Sequence, residues 1–281
     1  MSQCEGCASA SSCGGSCPSQ EPVLTEAQKH SNIKNIIVVM SGKGGVGKSS
    51  FSSVLAIALK KRGFEVGLMD ADITGPSIPK LFGINEQPQP GAFGIAPVKS
   101  KSGISLMSMN FLLPNEDDPV VWRGAMITGV VQQFITEVCW GDLDYLVVDL
   151  PPGTGDVPLT ILQTLKVNGA LIITTPQGLS NMVVRKGLKM LDLMNVPAIG
   201  IAENMSFIRC DECDHRIDLF GKSHVEETCA QFNLPLIGQF PLDPKLAMMG
   251  DEGRVEEYDG EVLTTLTENI DALLRAADET K

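Results

Sequence analysis

The sequence predicts an α/β fold, a doubly wound and mostly parallel sheet flanked by helices, and three observations carry that expectation. Short, continuous apolar runs rich in β-branched residues recur along the chain, the pattern of strands covered on both faces. Stretches of helical periodicity separate them, as crossovers between parallel strands require. The 281 residues, 43% of them hydrophobic, are enough for one large domain with a substantial core.

Residues 1–32 are rich in Ser, Gly, Cys and Pro and hold almost no large apolar side chain before Val23. Such a segment cannot fold unaided, so it is expected to be a Cys-rich tail ordered only by a bound metal or cluster. Residues 33–281 form the folded domain. Ile36 to Val39 is its first strand, Lys48 to Lys61 the helix that follows, and Val66 to Met69 the second strand. Tyr145 to Val148, Ala170 to Ile173 and Ala198 to Ile201 are further apolar strands. Ser180 is the expected N-cap of a helix carrying Val183, Leu188, Leu191 and Met194 along its length. Val262, Leu266, Ile270 and Leu273 share one face of a closing helix whose other face is acidic.

Lys and Arg number 22 against 34 Asp and Glu, a formal charge of −12. That balance argues against sequence-independent binding to DNA or to an anionic membrane, so neither is expected as a partner. The opening residues lack the basic start and apolar stretch of a secretory signal. The longest charge-free run, Val167 to Val184, is interrupted by Thr174, Thr175, Pro176, Gln177 and Ser180 and does not read as a membrane span. A cytoplasmic, reducing setting is expected, where the eight cysteines serve as metal ligands or packed thiols rather than a disulfide framework.

Between the first strand and its helix runs Gly42-Lys43-Gly44-Gly45-Val46-Gly47-Lys48-Ser49, which fits the phosphate-binding pattern G-x-x-x-x-G-K-[ST]. Glycines let the loop backbone turn its N–H groups toward a β-phosphate, and the helix N-terminus adds its positive dipole. Gly42 to Ser49, with Ser50 completing the set, are the expected ATP contacts. Lys48 would reach the β- and γ-phosphates and the Ser49 hydroxyl would hold Mg²⁺. Asp70 and Asp72 follow the second strand, and Asp149 ends the apolar run Leu146-Val147-Val148. A carboxylate at the carboxyl end of a strand can orient an attacking water or bind a metal. Asp72 is assigned to the water, Asp70 and Asp149 to the metal side. Residues 151–156, Pro151-Pro152-Gly153-Thr154-Gly155-Asp156, form a stiff, Gly-hinged loop suited to sensing the γ-phosphate.

The second loop lysine, Lys43, resembles the signature lysine of the deviant P-loop ATPases, the class of MinD and the nitrogenase iron protein. The resemblance implies that Lys43 acts across a dimer interface on the partner's nucleotide, in the manner of an arginine finger. With Lys48 and Asp72 it makes the expected catalytic set. A wider set of segments extends the likeness: residues 70–79, Trp122-Arg123-Gly124, residues 149–156, Thr174-Thr175-Pro176-Gln177, Glu203-Asn204-Met205-Ser206, Cys210-Asp211-Glu212-Cys213, Phe220-Gly221 and Pro241-Leu242-Asp243. In this order they resemble the Mrp family of iron–sulfur cluster carrier ATPases. The family implies a Mg-ATP-dependent homodimer, or a dimer with a close homologue, that carries a bridging [4Fe–4S] cluster to client apo-proteins, with Asn204 reading the adenine ring.

One Cys-x-x-Cys pair supplies two thiolates, whereas a [4Fe–4S] cluster takes four. Cys210 and Cys213 would therefore serve as half of a site completed at a two-fold axis. A zinc knuckle using His215 and a redox pair are the alternatives. In the tail, Cys4-x₂-Cys7-x₅-Cys13-x₃-Cys17 can wrap one cluster or one Zn²⁺. Its first three cysteines resemble the N-terminal motif of the cytosolic scaffold branch, with Cys17 standing in for that branch's more upstream fourth ligand. Cys139 and Cys229 read as buried small residues in helical stretches. Beside the cluster carrier stand three other readings: an ATP-driven electron donor like the nitrogenase iron protein, a MinD-like positioning ATPase, and an ATPase with structural zinc. The acidic C-terminus, with Glu257, Asp259, Glu261, Glu268, Asp271, Asp278 and Glu279, disfavours MinD-like membrane docking.

Overall fold

A computed structural model gives the structure of the protein and describes residues 24–72, 75, 77–112, 124–210 and 212–278. The tail cysteines Cys4, Cys7, Cys13 and Cys17 lie outside the described residues, as do Trp122 and Arg123. The chain runs through α1 (Glu26–Lys29), β1 (Ser31–Ser41), α2 (Lys48–Lys61), β2 (Val66–Asp70) and α3 (Ile78–Phe82). Then come β3 (Gln89–Pro90), β4 (Ile95–Ala96), β5 (Val98–Lys99), β6 (Ser105–Ser108), α4 (Gly124–Thr136), β7 (Gly141–Asp149), α5 (Asp156–Thr164) and β8 (Gly169–Thr174). The remainder is α6 (Gly178–Leu193), β9 (Ala198–Arg209), β10 (Arg216–Ile217), α7 (Val225–Phe232), β11 (Leu236–Pro241), α8 (Pro244–Asp251) and α9 (Glu261–Asp278).

The main sheet has the order β10-β9-β8-β1-β7-β2-β6-β5, with β11 also on β9. In this sheet the pairs β1–β7, β1–β8, β2–β7, β2–β6, β8–β9 and β9–β11 are parallel and β5–β6 and β9–β10 antiparallel, while β3 and β4 pair antiparallel apart from it. The expected doubly wound sheet is therefore present. Side chains alternate across β1, so Ile37 and Val39 enter one core while Ile36, Val38 and Met40 enter the other. On the first face α2 and α9 pack together, and Val262, Leu266, Ile270 and Leu273 are all buried there. On the second face lie residues of α4, α5, α6 and α7. The helices after β1 and β7 thus leave on opposite faces, which opens a crevice at the carboxyl ends of the central strands.

Three local details differ from the sequence-based expectations. Helix α6 starts at Gly178, so Ser180 lies in its first turn and Gln177 is the N-cap. Gln177 makes no capping bond, because its side-chain carbonyl is taken by Lys43. Cys139 follows α4 rather than lying in a helix and is partly exposed, whereas Cys229 is buried in α7. Finally, α1 and the first residues of β1 fall on the tail side of the compositional boundary at residue 32. A Thr25–Gln28 capping box and the burial of Ala27 hold that short helix against the fold.

Candidate functional site

The turn from β1 into α2 builds the phosphate cradle. Gly47 adopts φ 75°, ψ 24°, a left-handed conformation that glycine takes without strain. A Cβ at Gly47 would also collide with the side-chain amide of Asn204. Gly42 has ordinary backbone angles but no room, since a side chain there would run into Val183 of α6. The resulting cleft, about 240 Å³, is lined by residues 44–50 together with Ser41, Asp72, Ser77 and Pro152. Residues 44–50 of the expected loop contacts thus share one cavity with the acidic residue chosen to orient water, while Gly42 and Lys43 do not line it.

Lys48 is buried, its ammonium 2.8 Å from Asp149 Oδ2 and 3.6 Å from Asp72 Oδ2. Its charge is balanced by these carboxylates, yet the ammonium makes no well-aligned hydrogen bond among the described residues. A buried ammonium paired with carboxylates and keeping donors to spare, at the mouth of a glycine cradle, fits a phosphate. Asp149, fully buried, accepts hydrogen bonds from Ser49 Oγ (2.6 Å to Oδ2) and from Ser52 Oγ (2.6 Å to Oδ1). The pairing of Ser49 with Asp149 is the donor set that a Mg²⁺ ion beside a bound phosphate takes.

Asp70 neighbours Asp149 on the adjoining strand. Its Oδ2 accepts from Ser108 Oγ (3.0 Å) and the Ile78 N–H (3.3 Å), and its Oδ1 from the Asp72 N–H (3.1 Å). Burial and then the negative charge of Asp149 push the Asp70 carboxyl up to about 7, with Lys48 opposing them. Lys43 reaches back within its own chain, its ammonium donating to the side-chain carbonyl of Gln177. Asn204 is buried midway along β9 and donates from Nδ2 to the Val46 carbonyl at 2.9 Å, fastening that strand to the loop.

The thiol pair lies further along β9. After Arg209 the chain turns and pairs back as β10, with Arg216 opposite Arg209 and Ile217 opposite Ile208. The Cys210 N–H donates to the His215 carbonyl (3.0 Å) and the Asp214 N–H to the Cys210 carbonyl (2.8 Å). Cys213 is exposed and Cys210 half-buried. A two-pronged ion pair from Arg209 to Glu261, at 2.6 and 2.8 Å, anchors the hairpin to α9. Among the described residues no group of three or more Cys, His, Asp or Glu side chains converges to hold a metal. Among the described residues, therefore, nothing joins His215 and the thiol pair into a closed zinc site.

Sequence reasoning passed over Ser52 and Ser108, and gave Gln177 and Glu203 no individual role beyond their places in the segments of family resemblance. Only Ser52 had a local signal: it lies three residues after Ser49, on the same face of α2. The others come from distant elements.

The comparisons with known proteins agree with this geometry. A family model described as "ParA: NUBPL iron-transfer P-loop NTPase" matches residues 32–274. An iron–sulfur cluster carrier protein of Clostridium perfringens is 43% identical over 271 residues, covering 92% of this chain and 95% of its own. A protein of the same name from Methanocaldococcus jannaschii is 42% identical over 260 residues, covering 90% of each chain. Among solved structures, a nucleotide-binding protein of Archaeoglobus fulgidus in complex with ADP is 42% identical, with a TM-score of 0.74 over 82% of this chain and 90% of that one. The cell-division ATPase MinD of Pyrococcus furiosus shares the fold at 21% identity, with a TM-score of 0.61 over 85% of this chain and 98% of that one. Strand order, loop and full-length similarity together place the chain in the ParA family, as an iron-transfer P-loop NTPase of the NUBPL kind.

Proposed function

We propose that this protein is a cytoplasmic, ATP-dependent carrier that holds a [4Fe–4S] cluster between two subunits and delivers it to apo-proteins. The observation that carries the reading is the thiol hairpin: Cys213 exposed and Cys210 half-buried on one turn, with no group of three or more metal-ligating side chains converging there among the described residues. A [4Fe–4S] cluster takes four thiolates, and a two-fold contact presenting the same hairpin twice supplies them. The partner is a second copy or a close homologue.

Lys48 and the loop N–H groups of residues 42–50 would hold the phosphates of ATP, and Ser49 with Asp149 the Mg²⁺, with Asp70 backing that side from β2. Bound Mg-ATP supplies a phosphoryl group whose transfer to water drives the cycle. Asp72, beside Lys48, would orient that water, and Asn204 would read the adenine edge. Lys43 would leave Gln177 and reach the partner's nucleotide, so closing the dimer and completing the site become one event. The tail cysteines Cys4, Cys7, Cys13 and Cys17 would hold a second cluster.

Anaerobic reconstitution with iron and sulfide, followed by transfer to an apo-ferredoxin, tests the reading. The full chain should load and donate a [4Fe–4S] cluster, and the Cys210→Ala/Cys213→Ala variant should lose the bridging cluster while keeping iron bound by the tail. Zinc in place of iron after anaerobic purification, or unchanged transfer by that variant, would overturn it.

A further inference from the structure

We infer that Glu203 is a positioning residue that couples the nucleotide cradle to the thiol hairpin. This rests on the reading of the chain as a nucleotide-driven cluster carrier and assigns the link between its two sites. Glu203 is only 1% exposed, and three neutral groups serve its carboxylate. Ser206 Oγ and Gln239 Nε2 donate to Oε2 at 2.9 and 2.8 Å, and Ser223 Oγ donates to Oε1 at 2.6 Å. A buried carboxyl group served, among the described residues, by neutral donors is costly to hold, and a hydrophobic residue would fill the volume more cheaply. Its placement between two sites gives a reason for it.

On one side stands the cradle: the next residue, Asn204, bonds the Val46 carbonyl of the phosphate loop. On the other side stands the hairpin. Gln239, opposite Glu203 on β11, accepts through Oε1 from Arg216 Nη2 at 3.3 Å. Arg216 follows Cys213 by three residues and lies over the Phe207 ring at 4.2 Å. Ser223 holds the segment beyond the hairpin to the same carboxylate. Between the two sides Met205 takes φ 55°, an uncommon conformation for a non-glycine residue, so β9 changes course just past the cradle contact. A shift of Val46 and Gly47 on nucleotide entry moves Asn204 and with it Glu203. Gln239, Arg216 and Ser223 then carry that movement to the base of the thiol hairpin. This is a contiguous hydrogen-bonded route, and coupling along it must be shown by measurement.

The test uses the full-length, reduced protein under anaerobic conditions, with and without excess Mg-ATP. Trypsin releases Cys210 to Arg216 as one peptide, or Cys210 to Lys222 in the Arg216→Ala variant, each carrying only the two hairpin thiols, so mass spectrometry reads their alkylation rate directly. In the wild type Mg-ATP should change that rate by about fivefold or more, the lower end of ordinary allosteric coupling. In Glu203→Gln and in Arg216→Ala the ATP-dependent difference should collapse toward none, with ATP affinity retained. Cys229, buried in α7, serves as the internal reference. The inference is overturned if the wild type binds ATP with no change in hairpin alkylation, or if both variants keep the wild-type difference. Should Glu203→Gln lose ATP binding, Arg216→Ala, altered at the exposed end of the route, decides alone. Loss of cluster transfer with the alkylation response intact would count against the carrier reading instead, so the two failures are distinguishable.

Discussion

At the scale of single residues, the buried polar groups around Asp149 set both the site and its stability. Ser52 Oγ is buried and bonds both the Lys48 carbonyl and Asp149 Oδ1, at 3.0 and 2.6 Å. Ser52→Ala leaves a buried carboxylate oxygen short of a donor and should cost about 1–3 kcal/mol in urea denaturation. Ser53→Ala removes only a bond to its own helix, Ser53 Oγ to the Ser49 carbonyl at 2.8 Å, and should cost much less. Asp70 adds a pH dependence. Its carboxyl rests near 7 in the folded chain against an ordinary 3.8, so the folded chain holds a proton between about pH 4 and 7 that the unfolded chain has lost. Stability of the nucleotide-free protein should therefore fall as pH rises through that window and level off above it. Asp70→Asn has no such titration, and its denaturation midpoints at pH 5 and 8 should differ less than those of the wild type.

At the scale of elements, the phosphate loop depends on what packs behind it. Gly42 is dictated by contact: a methyl there meets Val183 of α6. Gly42→Ala should destabilise the protein by about 1–3 kcal/mol through overpacking and weaken nucleotide binding. Val183→Ala in the same chain should restore much of both, read by thermal unfolding and by titration with a fluorescent ATP analogue. The loop was legible in the sequence because its glycines and Lys48 form a contiguous string with its own chemistry. The need for Gly42 specifically was not, since Val183 lies 141 positions away along the chain (183 − 42). The start of α6 shows the same limit. Ser180 has the right side chain for a cap, but the chain enters the helix at Gln177, whose amide is committed to Lys43.

At the scale of the whole molecule, the roles proposed for Lys43 and for Cys210/Cys213 each need a second subunit. If Lys43 acts on the partner's nucleotide, Lys43→Ala and Asp72→Asn chains should each be inactive alone. Mixed in equal amounts, they should recover about a quarter of wild-type ATPase activity, because half the dimers then hold one site with both residues. No recovery on mixing would place Lys43 in its own chain's site. No described helix is long and apolar enough to cross a membrane. By itself the sequence determined the parallel sheet, the phosphate loop and the isolated thiol pair, because each is written in neighbouring residues: an apolar run, a glycine string, a two-residue spacing. Only the tertiary structure decided that Asp149 is shared by Lys48, Ser49 and Ser52, that Gln177 holds Lys43, and that Glu203 lies between cradle and hairpin. Those relations join side chains from different strands and helices, and the packing of the sheet, rather than local spacing, brings them within hydrogen-bonding reach.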